Sequence, residues 1–304
     1  MLRKSATIFV SLGFAVALSA APNTAPSQVH LSATEIADKN VAARGGLQAW
    51  RAVQTISMTG KLGAGGNQRA SVPVPSPIPG KVISPKTLPS RPTEEVQLPF
   101  VMELERSRKI RFELQFNGQT AIQVYDGANG WKLRPFLNRR EVEPYTVEEM
   151  KIASTQLDLD GPLVDYAAKQ TQIELAGVEK VEGRDAYRLK LKMKDGQAIH
   201  VWIDAQTFLE VKIEGQPRRL DGSYHPVEVY YRDYRPVDGL QIPFVLETKV
   251  LPLAHTGKGF KDAPVPVEKI IIDKVVVNPK LDESLFTKPQ IEAAANKAAP
   301  PKTK

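Results

Sequence analysis

The 304-residue chain is 42% hydrophobic and 25% charged, with no cysteine. That is ordinary globular composition with enough apolar material for a sizeable core in one large domain or two small ones, and it excludes a disulfide framework. Forty-one basic residues against 34 acidic ones leave a net charge of +7, but the basic residues are scattered along the chain. A nucleic-acid-tracking surface is therefore not expected, whereas a mild attraction to anionic lipid or acidic partners fits.

Arg3 and Lys4 precede an apolar run, Ile8 to Leu18, that ends in Ser19, Ala20 and Ala21. This is the layout of a secretory signal, expected to occupy 1–20 and to be cleaved after Ser19 or Ala20. Export with no cysteine points to a bacterial periplasm, to a soluble product without a lipid anchor of its own, and to a monomer. A flexible leader is expected over 21–31. Ser32 and Glu35 form a capping box opening a helix that Gly45-Gly46 stops near Arg44. A strand follows near 55–62, and then the Pro- and Gly-rich segment 64–92 reads as a long loop insertion. Its "GAGG" lacks the strand-then-helix setting of a phosphate loop.

From Leu98 the period is two. In "KIRFELQF", Ile110, Phe112, Leu114 and Phe116 share one face, and Lys109, Arg111, Glu113 and Gln115 take the other. Asn117-Gly118 turns the chain, and "VYDGANGWKLRPF" turns it again before Trp131 and Leu133. Thr146 and Glu149 form a second capping box, followed by Met150, Ala153 and Leu157 at helical spacing. Gly161-Pro162 breaks this helix and suits the first turn of another carrying Leu163 and Tyr166. Strands then return at hairpin spacing to about residue 277, and the Ala-, Lys- and Pro-rich tail 291–304 reads as disordered. The fold class is mainly β (α+β). About eleven strands make a single large curved antiparallel sheet in one domain, 32–290, with helices on its concave face.

No catalytic constellation emerges. His30, His200, His225 and His255 stand far apart, and no zinc-protease, nucleophile-elbow or nucleotide-loop motif occurs. We therefore expect no catalytic residues, metal site or cofactor, and the chain reads as a non-enzyme. The informative feature is apolar: one long sheet face with few helices to cover it. The candidate lining is Ile110, Phe112, Leu114, Phe116, Trp131 and Leu133.

The succession "ARGG", "MELERSRKIRF", "VYDGANGW", "GPLVDYAAK", "VEGRDAYRLKL", "IDAQTFLEVK", "DYRPVDGLQIPF" and "DESLFTKP" resembles the LolA/LolB-like outer-membrane lipoprotein-sorting proteins over residues 32–289. The resemblance implies an eleven-stranded half-barrel closed by helices and a hydrophobic cavity for the acyl chains of a lipoprotein or another lipid. It implies a donor transporter in the inner membrane and an acceptor in the outer membrane. An envelope-stress sensor built on the same half-barrel is the alternative. It further implies a latch arginine that bonds lid carbonyls when the cavity is empty. Arg106 matches that position with Ser107 where the family has Pro, and Arg108 is its rival. Met150, Ala153, Leu157, Leu163 and Tyr166 would belong to the lid.

Overall fold

The alternating patterns become thirteen strands in a computed structural model that describes residues 31–65, 95–135, 139–156, 158–220, 223–253 and 265–290. Expectations for the signal segment, the leader as far as residue 30, the loop over 66–92, Leu157 and the tail lie outside the described residues. Everything below concerns the unit that begins at Ser32.

The strands are β1 (Thr55–Gly65), β2 (Glu95–Glu105), β3 (Lys109–Phe116), β4 (Gln119–Tyr125), β5 (Gly130–Arg134) and β6 (Arg139–Pro144), then β7 (Gln172–Val181), β8 (Arg184–Lys192), β9 (Ala198–Asp204), β10 (Glu210–Leu220), β11 (Ser223–Val237), β12 (Leu240–Val250) and β13 (Glu268–Val277). They form one open antiparallel sheet in the order β6-β5-β4-β3-β2-β1-β13-β12-β11-β10-β9-β8-β7. Two meanders are thus zipped together where the first strand pairs with the last, Met58 opposite Val275. Thirteen strands replace the expected eleven because both edges escape the alternation signal. β6 is charged and ends in Pro144; β7 carries a register shift between Leu175 and Gly177. Charge, proline and bulges are how natural sheets blunt their edges.

Among the described residues, three α-helices accompany the sheet: α1 (Ala33–Ala43), α2 (Leu47–Ala52) and α3 (Val147–Ser154). Both expected capping boxes are present, Ser32 with Glu35 and Thr146 with Glu149. The expected helix over Leu163 and Tyr166 is instead a series of turns. Asp165 and Gln170 take left-handed backbone (φ 52 and 59°), which a helix cannot accommodate. Arg51 grips the Asp165 carboxylate at 2.6–3.2 Å through two nitrogens.

Topology explains what covers the sheet. β6 and β7 are opposite edges, so the chain between them, 145–171, has to travel from one edge to the other across a face. Leu163 and Val164 of that crossing are fully buried, as are Leu189, Leu191, Val201 and Ile203 of the strands and Ile36 and Ala37 of α1. The C-terminal 3-10 turn Glu283–Phe286 packs on β3. There Arg111 donates to the Leu285 carbonyl at 3.0 Å, and Phe286 is buried.

Candidate functional site

A cavity of about 1000 Å³ lies between one face of the sheet and the crossing chain. That is the upper end of the range for small-molecule sites. The sheet supplies hydrocarbon: Ile56 and Met58 of β1, Met102 and Leu104 of β2, Ile110 of β3, Ile213 of β10, Val229 and Tyr231 of β11, Leu246 of β12, Ile270 and Ile272 of β13. Register makes this a single face. Met58 stands opposite Met102, Leu104 opposite Ile110, Ile213 opposite Val229, and Leu246 opposite Ile270, and directly opposed residues project to the same side. The other wall is Arg44, Trp50, Thr155, Gln156, Asp158, Leu159, Gly161 and Pro162.

Of the six residues expected to line the site, Ile110 does so. Phe112 and Leu114 lie on the same face, opposite Met102 and Phe100, but further along β3. There Phe112 stacks on Phe100 with ring centroids 5.8 Å apart. Phe116 is at the end of the strand and more exposed. Trp131 and Leu133 are on the opposite face, a correction to the expected grouping. Tyr125 pairs with Gly130, so Trp131 falls opposite Val124 and Leu133 opposite Ile122, and those positions face the same way as Arg111 and Glu113. A shift of one residue in register exchanges the two faces of a strand. Asp126 sets this one by accepting from the amides of Ala128 and Asn129.

Of the expected lid residues, Ala153 and Leu163 are buried and Met150 and Tyr166 half-buried. Their neighbours Lys151, Leu159 and Pro162 form the lining. Sequence reasoning missed most of the wall because β10–β13 reach β1 and β2 only through the β1–β13 pairing. Their apolar positions were visible in the sequence, but the runs Ile270–Ile272 and Val275–Val277 of β13 do not alternate, so the inward face could not be read from them.

Arg106 and Arg108 flank the tip of the β2–β3 hairpin, where Ser107 and Arg108 have φ of 70 and 65°. Arg106 donates to the Val53 carbonyl (2.5 Å), the Trp50 carbonyl (2.5 Å) and Asp160 (2.8 Å). It therefore ties the C-terminal end of α2 and the crossing chain to the sheet. Arg108 donates to the Ser154 carbonyl at the end of α3 (2.8 Å) and to Asp158 (3.3 Å), and is half exposed. Helix ends leave carbonyls unpaired, so both arginines meet acceptors that need a donor. Asp160 also holds Lys169 at 2.5 Å. Arg44, buried, reaches the Asp160 carbonyl (2.9 Å) and Glu210 (3.5 Å), with its guanidinium 4.4 Å from the centre of the Trp50 ring. Chemically this is a slot with a largely aliphatic sheet wall, charged residues such as Glu214 and Glu228 among its lining, and an ionic cluster at one end.

No protein-family profile matches the chain, and no curated protein does. Among solved structures, a LolA superfamily protein from Nitrosomonas europaea superposes with a TM-score of 0.51 at 12% identity, covering 85% of this chain and 99% of that one. An outer membrane lipoprotein-sorting protein domain from Vibrio parahaemolyticus (TM-score 0.46, 13% identity, 84% and 96% covered) and a DUF1329 family protein from Desulfovibrio piger (0.47, 12%, 84% and 97%) are similar more distantly. With thirteen antiparallel strands in one open sheet and this likeness, the chain has a LolA-like fold.

Proposed function

We propose that the protein is a carrier that takes up acyl chains of a lipoprotein or another lipid in its cavity and moves them across the periplasm toward the outer membrane, without catalysis. The observation that carries this reading is the cavity itself: about 1000 Å³ of space walled by aliphatic side chains from both meanders. Each methylene moved from water into such a slot contributes about 0.8 kcal/mol, so one long chain supplies ample affinity. Delivery needs a competing state in which the empty cavity is closed. In this reading Arg106 holds that state by its three bonds to α2 and Asp160, and Arg108 assists at the end of α3. Ile110 and the aliphatic residues opposite it contact the cargo. An inner-membrane donor and an outer-membrane acceptor complete the route, and the carrier acts as a monomer in a half-barrel that the crossing chain closes. The test is native mass spectrometry of the protein purified from its own cell envelope. Bound lipid masses are expected; a homogeneous apo mass, unchanged after incubation with lipid vesicles, contradicts the reading.

A further inference from the structure

One end of the cavity is not hydrocarbon. Lining residues Ala198, Gln216, Pro217 and Pro226 are exposed, whereas Arg44, Trp50, Glu210 and Pro162 are buried. Glu210 and Pro217 are seven residues apart on β10, about 23 Å at 3.3 Å per residue. The slot thus runs from an exposed mouth to a covered end, and Arg44 sits at the covered end.

Arg44 is only 6% exposed. Its Nη1 makes both of its hydrogen bonds, to the Asp160 carbonyl and to Glu210. Nε is buried with no partner, and Nη2 donates to none of the described residues. A buried donor without an acceptor is costly and calls for an occupant. Nη2, which keeps accessible surface, can donate to a carboxylate oxygen in a charge-assisted bond. Tyr231, another lining residue, has no hydrogen-bond partner for its hydroxyl among the described residues. Burial, together with nearby Glu210 and against nearby Arg44, pushes its phenol up, so it is a donor at working pH. The local charges also ask for an anion. Arg44, Arg106, Lys169 and Arg108 are linked with Glu210, Asp160 and Asp158 in one network, four cations to three carboxylates.

Resting on the carrier reading, we propose that the covered end is a carboxylate subsite: Arg44, through Nη2, and Tyr231 bind the carboxyl group of a fatty-acid-like ligand that enters head first, its chain lying along Ile213, Val229, Leu246 and Ile270. An ester could offer only its carbonyl oxygen to the same donors, so acid and ester distinguish the two sources of acyl chains.

The experiment is displacement of bound 1-aminoanthracene by monomeric laurate and by methyl laurate. The parent protein is expected to bind laurate about tenfold more tightly than the ester. Tyr231→Phe, which keeps the ring, should weaken laurate about tenfold or more, the loss of one hydrogen bond to a charged group, and weaken the ester less, so that the preference shrinks. Replacing Arg44→Gln together with Glu210→Gln, so that neither charge is left alone, should erase the preference. Equal displacement by acid and ester in the parent, or an unaltered preference in both variants, overturns the subsite while leaving the carrier reading intact. Failure of 1-aminoanthracene and of both competitors to bind at all overturns the two together.

Discussion

Arg106 is the residue on which the covering chain turns. Among the described residues it is the one side chain hydrogen-bonded at once to α2 and to Asp160, whose carboxylate is almost fully buried and otherwise held by Lys169. Arg106→Leu removes donors from two helix-end carbonyls and one partner from a buried carboxylate. It should cost about 2–3 kcal/mol in chemical denaturation. Arg108→Leu removes an exposed pair and one carbonyl contact, and should cost about 1 kcal/mol or less. Equal losses would show that Arg106 has no special hold on the cover. The arginine pair was reached through the family resemblance and not through the alternation of the strands. Their partners were not legible, because Val53, Ser154 and Asp160 are remote in the chain and meet the hairpin only after the edge-to-edge crossing forms. Trp131 and Leu133 were misplaced for a related reason: alternation says which residues share a face within a strand, but the loop 126–129 decides which face that is.

At the scale of elements, the junction of α1 with the sheet depends on a close backbone approach. α1 ends at Arg44, whose amide bonds the Asn40 carbonyl; the amides of Gly45 and Gly46 bond Ala42 and Val41. Gly45 has φ +115°, and a Cβ there would lie 2.4 Å from the Gly239 carbonyl oxygen in the β11–β12 turn. The amide of Gln241 in turn donates to the Arg44 carbonyl at 3.0 Å. Gly45→Ala therefore meets both a left-handed backbone and a backbone clash, and should destabilise by about 3 kcal/mol or more. Gly183→Ala, at φ +86° with nothing within 4 Å, meets only the backbone preference and should cost about 1 kcal/mol. Urea melts of the two variants would separate these causes, and a similar loss in both would mean that the α1–sheet contact yields easily. Capping boxes and hairpin turns were readable because each is a short-range contract between neighbours. The edge strands and the turns over 162–170 were not, since proline, bulges and a bidentate Arg51 overrode the local periodicity.

For the whole molecule, burial couples four of the eight tyrosines to stability at alkaline pH. Tyr145 is pushed up to about 12 by burial and then by Glu149. Burial, ahead of neighbouring carboxylates, also raises Tyr230, Tyr231 and Tyr234. A phenol raised on folding contributes stability that is complete below the unfolded value near 10 and is lost as pH rises through the folded value. The urea midpoint should therefore fall between pH 9.5 and 12; a constant midpoint over that interval would contradict these burials. On the acid side, Arg51 lowers Asp165 and Arg232 lowers Glu182. That stability is present above about pH 4 and lost as pH falls further.

The central claim is that the inner face of the sheet, and not the outer one, holds a lipid chain. Leu246 lines the cavity, whereas Leu133 lies on the other face by register. The direct measurement is saturable fluorescence uptake of 1-aminoanthracene by the parent, Leu246→Trp and Leu133→Trp proteins, each checked for a cooperative melt. The account predicts that the indole at 246 fills the slot and weakens uptake at least about tenfold, the order expected when apolar burial of this size is displaced, while the indole at 133 leaves it unchanged. Undiminished uptake by folded Leu246→Trp, or an equal loss in both variants, would contradict it.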